Sequence, residues 1–399
     1  MPSADVSSHP PSIDSGPTEM VVMTHFGFLS TYPPTRCGLA TFTEALAGAL
    51  ASDGSDEPTI VRVVESRELT RGPLVIGRVP TTTEMITGNR VSMRGAVRAL
   101  NACDVAVIQH EYGIYGGPDG DEIIPLLRSL STPAIVVLHT VLREPTRHQR
   151  MILETVCRLA DTIVVMTENA RDILRTSYAT KLSKIRVIPH GVPAQHAPSA
   201  VRGEGPKRVV TWGLISPAKG LEWGIRAMAQ LRDTAPSIEY VIAGQTHPKV
   251  VARNGERYRE SLQALIAELG LEHIVTLDDR YLDAPQLVDL IASADVVLLP
   301  YESREQAASG VLIEAVAAGI PVVATGFPHA VELLGRGAGL IAEHGDPASM
   351  ADAIGTIIGA EETARQMHEA ALRDTRDSSW PAVAEQYRAI GGRLRAAAA

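Results

Sequence analysis

Aromatic side chains are scarce in this chain, with 3 Trp, 9 Tyr and 4 Phe among 399 residues. A platform that stacks nucleic-acid bases needs such rings, so that class of partner is disfavoured. Basic excess is missing too. The 37 Lys and Arg stand against 46 Asp and Glu, a formal net charge of −9, whereas neutralising a phosphate backbone needs a basic face. The only cysteines are Cys37, Cys103 and Cys157. Their scatter has no metal-ligand spacing, and an odd count speaks against a disulfide framework, so a reducing, cytoplasmic setting is the expectation. No apolar run reaches the roughly 18 residues of a membrane-spanning helix. Residues 1–18 are rich in Ser, Pro and Asp, without the basic start and apolar stretch of a signal peptide, and read as a disordered tail.

What the chain does have is bulk apolar content, 45%, in a length that suits two domains. Short β-rich runs alternate with helical patterns throughout, which argues for parallel α/β architecture. The strand candidates are Met20–Phe28, Thr59–Val64, Leu74–Val79, Val105–Gln109, Ala134–Leu138, Thr162–Met166 and Ile185–Ile188. A second set follows at Arg208–Trp212, Glu239–Ala243, Ile274–Leu277, Val296–Leu299, Val322–Ala324 and Gly339–Ala342. Their near-continuous apolar character suits strands covered on both faces. Between the sets, the Pro/Gly/Ser/Ala-rich stretch 191–206 reads as a linker. The expectation is two doubly wound, Rossmann-like domains, 19–190 and 207–378, with a cleft between their strand C-termini. A last helix over 379–399 would pack back on the first domain.

The most informative stretch runs from Ser309 to Thr325, SGVLIEAVAAGIPVVAT. A small-residue turn opens a helix, Gly319 stops it, Pro321 prevents its resumption, and a β-branched run makes a buried strand. Free N–H groups in the helix's first turn, at Ser309, Gly310 and Val311, form an anion site. Glu314, about one turn in, can accept from a diol, which is the pattern of a ribose-diphosphate ligand. An ordinary α/β unit with a surface glutamate has the same sequence pattern. Three other segments should sit at strand ends. In the first, Tyr32-Pro33-Pro34-Thr35-Arg36-Cys37-Gly38, the glycine at a helix start would let a phosphate or sugar approach. In the second, His139 closes a strand where it could bond a hydroxyl or take part in proton chemistry. In the third, Gly213 permits close approach, while Lys219-Gly220 sets an ammonium where charge builds on a departing diphosphate.

With these residues in view, the chain resembles a glycosyltransferase of the GT-B fold, specifically retaining family 4. The resemblance rests on Gly213…Lys219-Gly220, Pro189-His190-Gly191-Val192, and Glu314 through Ala324. It implies that Glu314 holds the ribose of a nucleotide sugar. It implies also that Lys219 and the amides near Ser309–Val311 bind the diphosphate, and that His139 sits beside the transferred sugar. Two positions depart from the family pattern. Gln306 stands eight positions before Glu314, where members usually carry glutamate, and as an amide it can still bond sugar hydroxyls. Leu214 stands where an arginine usually follows the loop glycine; Arg36 or Arg304 is the candidate replacement cation.

The segments Tyr32…Gly38 and Gln109-His110-Glu111-Tyr112-Gly113 together resemble a bacterial, mannosyltransferase-like subgroup, which favours GDP-mannose over UDP-glucose as donor. The polar loop from Gln109 to Asp121 should overhang the cleft, making Glu111, Tyr112 and Asp119 candidates for contacting a saccharide or other hydroxyl acceptor. The basic group Arg143, Arg147, His148, Arg150 and Arg158 reads as a solvated helix face, or as a contact for an anionic acceptor or lipid surface. Asp278-Asp279 lacks further ligands at useful spacing, so neither a metal nor another cofactor is expected. The resemblance implies a hexosyltransferase. The alternatives are a nucleotide-sugar epimerase, a sugar phosphorylase, or a non-catalytic nucleotide-sugar-binding protein.

Overall fold

The computed structural model describes residues 23–52, 54, 56–65, 79, 81–193, 205–235 and 237–398. The tail 1–18, residues 20–22 of the first strand candidate, residues 74–78 of the third, and residues 194–204 of the linker lie outside them. Two wholly parallel sheets carry the chain. The first contains β1 (Thr24–Ser30), β2 (Asp56–Val64), β3 (Thr81–Ile86), β4 (Val105–His110), β5 (Ala134–Leu138), β6 (Thr162–Val165) and β7 (Ile185–Val187), in the order 3-2-1-4-5-6-7. The second contains β8 (Lys207–Trp212), β9 (Ile238–Ala243), β10 (Val275–Asp278), β11 (Val296–Leu299), β12 (Val322–Thr325) and β13 (Gly339–Ala342), in the order 10-9-8-11-12-13.

Each sheet reverses its winding once, between β1 and β4 in the first and between β8 and β11 in the second. At such a reversal the loops leaving the two strands diverge and open a crevice at the strand C-termini. The central strands are buried on both faces: Val105 to Ile108, Ile135 to Val137 and Val296 to Leu299 have no exposed surface. β3 is the exception. Its sequence TTTEMI buries only Met85, because it is an edge strand, and a search for apolar runs passes over it in favour of Leu74–Val79.

Helix Gly38–Ala51 buries Phe42, Leu46 and Leu50, one residue per turn, against the first sheet. The last helix, Trp380–Ala398, lays Val383, Tyr387 and Ile390 on the same core. There Arg388 pairs with Asp56 and donates to the Leu50 carbonyl at 3.1 Å. The chain crosses between sheets twice, side by side: Val192 N donates to Ser378 O at 2.8 Å, and Trp380 N to Val192 O at 2.9 Å.

Candidate active site

The two loops that leave the second sheet at its reversal face each other. After β8, Gly213 has φ +107°, and a Cβ there would point at Val311 Cγ2, 3.5 Å away. Pro217–Lys219 then forms a single 3-10 turn that lifts Lys219 over the face of Tyr301, with the ammonium 3.9 Å from the ring centroid. That contact holds the cation without neutralising it. Gly220 has φ +56°, and a Cβ there would lie 2.2 Å from the Pro300 carbonyl, so only glycine lets the β8 loop seat on the β11 loop.

After β11 the chain runs to helix Gly310–Ala317. Ser309 is its N-cap and accepts from Leu312 N at 3.2 Å, while Ser309 N itself donates to His329 Nδ1 at 2.9 Å. Both polar groups of Ser309 are therefore in use. The amides open to an anion are those of Gly310 and Val311, the first two helical residues, which have no intrahelical acceptor. Glu314, farther along, accepts from Trp212 Nε1 at 3.2 Å. Burial raises its pKa to about 7, against which the indole bond acts in the lowering direction.

The opposite wall comes from the first sheet. His139 Nε2 lies 2.6 Å from the Gln109 side-chain oxygen, and Phe42 packs edge-on against the imidazole with centroids 5.0 Å apart. Burial lowers the His139 pKa to about 3, with His190 and His110 adding to the shift, so the ring is neutral near pH 7. His190 bridges the walls. It packs on Phe42 and Trp380, and a Cβ on Gly310 would lie 3.3 Å from its Nε2. Gly38, first residue of its helix, has open space where a Cβ would project.

Five contacts tie the walls together. Arg36 Nη1 donates to Gln245 Oε1 at 2.6 Å, with its guanidinium over Tyr281. Lys249 Nζ donates to Gly113 O at 3.1 Å, Arg143 N to Glu305 Oε2 at 2.9 Å, and Thr167 Oγ1 to Ala307 O at 3.3 Å. The Glu332 carboxylate accepts from Glu168 N at 2.9 Å and Asn169 N at 2.8 Å, capping helix Glu168–Ser177 from the other half of the molecule.

Arg36 and Arg304 part company here. Arg36 reaches the loop after β9, where Gln245 O also accepts from Ile215 N at 2.8 Å, whereas Arg304 lies beside His344, whose pKa falls through burial and that charge. Gln306 folds on its own loop, its Nε2 donating to Ala308 O at 3.2 Å. The expected acceptor residues are bonded internally: Glu111 accepts from Gly113 N at 2.7 Å, Tyr112 donates to Gln149 O at 3.4 Å, and Asp119 accepts from Gln149 at 3.2 Å and pairs with His148. Of the basic group, Arg150 donates to Ser177 O, Arg143 to Asn169 and Arg158 to Thr155, all neutral acceptors, and Arg143, Arg147 and Arg158 are exposed. Asp278 is held by Arg280, and no group of three potential metal ligands occurs among the described residues. The partnerships of His329 with Ser309, Trp212 with Glu314 and Tyr301 with Lys219 leave no signal in the sequence, because each joins residues far apart along the chain.

Two parallel sheets with facing reversal points and an anion-ready helix start define a GT-B fold. Solved structures share it. Sucrose-phosphate synthase of Thermosynechococcus elongatus superposes with TM-score 0.73 at 18% identity over 94% of this chain and 100% of that one. Anabaena HepE in complex with UDP-glucose gives 0.68 at 17% identity over 93% and 100%. In sequence, residues 37–196 match Glycosyltransferase Family 4 and residues 195–374 match Glycosyl transferases group 1. The chain belongs to glycosyltransferase family 4. A D-inositol 3-phosphate glycosyltransferase of Corynebacterium jeikeium is 31% identical over 264 residues, 61% of this chain and 59% of that relative, so the match spans less than two thirds of the relative's length.

Proposed function

We propose that the chain is a retaining hexosyltransferase that moves a hexose from a nucleotide-diphosphate sugar to an acceptor hydroxyl. The observation that carries this reading is the meeting of the Gly310 and Val311 amides, Lys219 and Glu314 on one wall, opposite His139 on the other. Glu314 takes the ribose hydroxyls. The two amides and Lys219 hold the diphosphate and stabilise the charge that develops as it leaves. His139, with Gln306 on the facing loop, borders the hexose. In a front-face displacement the bond from the anomeric carbon to the diphosphate oxygen breaks while the acceptor oxygen bonds on the same face. The acceptor's proton passes to the departing phosphate, so the protein's part is orientation, charge stabilisation and exclusion of water. The five contacts between the walls keep the site closed during that step.

Mannose from GDP-mannose is the favoured donor, on the Tyr32…Gly38 and Gln109…Gly113 segments. Glucose from UDP-glucose is the second reading, favoured by the HepE complex. Glu111, Tyr112 and Asp119 shape the acceptor side, Arg36 strengthens the diphosphate side, and the reaction is placed in the cytoplasm. No helix of the described residues is long and apolar enough to cross a membrane.

The test offers each donor with sugar and polyol acceptors, D-inositol 3-phosphate among them, and follows nucleoside diphosphate release and the anomeric configuration of the product by NMR. Acceptor-dependent release with retained configuration is expected. Conversion of the donor without acceptor would make the protein an epimerase, and binding without any turnover a non-catalytic receptor.

A further inference from the structure

Strand alternation places Gln109 and His139 on one face of the first sheet. Val105 and Val107 precede Gln109 on β4, and Ile135 and Val137 precede His139 on β5, all four facing the core that also holds Phe42. Gln109 has no exposed surface, and its side-chain oxygen is 2.6 Å from His139 Nε2. An amide oxygen can only accept, so the imidazole must donate from Nε2. The amide nitrogen of Gln109 is enclosed and has no partner. A buried donor left over in this way is destabilising, and a leucine of similar size would fill the space without it. Packing alone therefore does not account for glutamine here. The other ring nitrogen of His139, Nδ1, has no hydrogen-bond partner among the described residues, and unlike Gln109 Nε2 it is not sealed from solvent.

We propose that Gln109 is a positioning residue that fixes His139 as the Nε2–H tautomer, so that Nδ1 meets the bound sugar only as a hydrogen-bond acceptor. The sugar in this statement rests on the transferase reading; the tautomer does not. A hexose hydroxyl must then donate to His139, and His139 supplies no proton to the departing diphosphate. The ionisable groups that act on His139 are His190 and His110, and burial makes both neutral near pH 7, lowering each to about 4. Phe42 presents an apolar ring to it, and among the described residues no anionic group acts on the ring to favour an imidazolium.

The test uses the full chain labelled with 15N-histidine, with the His139 resonances assigned by their loss in His139→Gln. Long-range 1H–15N spectra between pH 5.5 and 8 should show His139 protonated on Nε2, bare on Nδ1 and not titrating. Gln109→Leu removes the acceptor, so the tautomers should mix. KM for the productive nucleotide sugar should then rise about tenfold, the loss of one hydrogen bond, with kcat little changed. Gln109→Glu keeps an acceptor of the same size and adds a charge. It should retain the Nε2 proton and move the acidic limb of the kcat/KM profile to higher pH. A packing role alone would alter Tm and leave tautomer and pH profile where they were. An Nδ1–H tautomer in the unaltered protein, or an unchanged tautomer in Gln109→Leu, overturns the proposal. If no nucleotide sugar binds at all, the transferase reading fails while the spectra still decide the tautomer.

Discussion

Glu314 yields a test in which stability and ligand binding move in opposite directions. Its pKa, raised to about 7 by burial from an ordinary 4.5, means the folded protein keeps a proton that the unfolded chain releases. Below pH 4.5 both states are protonated and the group has no effect. As pH rises from 4.5 to 7 the unfolded state gains, so stability falls across that window and levels off above it. At 1.36 kcal/mol per unit the cost at pH 8 is about 3 kcal/mol. Glu314→Gln keeps an acceptor for Trp212 Nε1 but carries no charge to desolvate. In ligand-free protein, thermal unfolding at pH 8 should show the variant more stable by several degrees. The gap should shrink as the pH approaches 5, because only the parent chain depends on this group's titration. Calorimetric titration with the productive nucleoside diphosphate should show the reverse order, with the variant binding about 10- to 100-fold more weakly through loss of a charged acceptor. A variant no more stable than the parent at pH 8, with the same pH dependence, would refute the reasoning about burial. Unchanged nucleotide affinity would refute the role assigned to the carboxylate.

Lys219→Met should keep the packing over Tyr301 and lower kcat by about 100-fold or more, as expected for removing a preorganised charge, with Tm nearly unchanged. Gly220→Ala forces a Cβ against the Pro300 carbonyl at positive φ and should destabilise by about 2 kcal/mol or more in urea unfolding, a backbone-strain effect. Glu332→Ala removes the cap that one half of the molecule places on helix Glu168–Ser177. It should lower stability by about 1 kcal/mol and increase the radius of gyration in small-angle scattering; a variant as compact as the parent would argue against this contact as a clasp.

Much of the fold follows from pattern alone. β5 and β11 have the bounds that their apolar runs suggest, because burial on both faces leaves a continuous apolar signal. β13 keeps its expected bounds as an edge strand with Ile341 exposed, and helix Gly310–Ala317 ends just before Gly319. β3 escapes that logic, since an edge strand need not be apolar. Within the site, residues sharing a motif were legible: Gly213, Lys219, Glu314 and the helix start stand in fixed spacing. Their partners were not. Trp212 at the end of β8 reaches Glu314 on the helix that follows the adjacent β11, His329 reaches Ser309 from a later helix, and the order of strands, not of residues, makes them neighbours. The same limit explains Glu111, Tyr112 and Asp119. A polar loop looks free in sequence, yet Gln149 and His148 from helix Arg147–Leu159, beyond β5, engage two of these residues and Gly113 N the third.

The central claim is that the Gly310 and Val311 amides and Lys219 form a diphosphate site. The most direct measurement is titration calorimetry of GDP and GMP, and of UDP and UMP, against the parent chain and Lys219→Met. With one base or the other, the diphosphate should bind at least about tenfold more tightly than the monophosphate, and the difference should collapse in Lys219→Met. Equal affinity for the mono- and diphosphate, or no binding of either base, would contradict it.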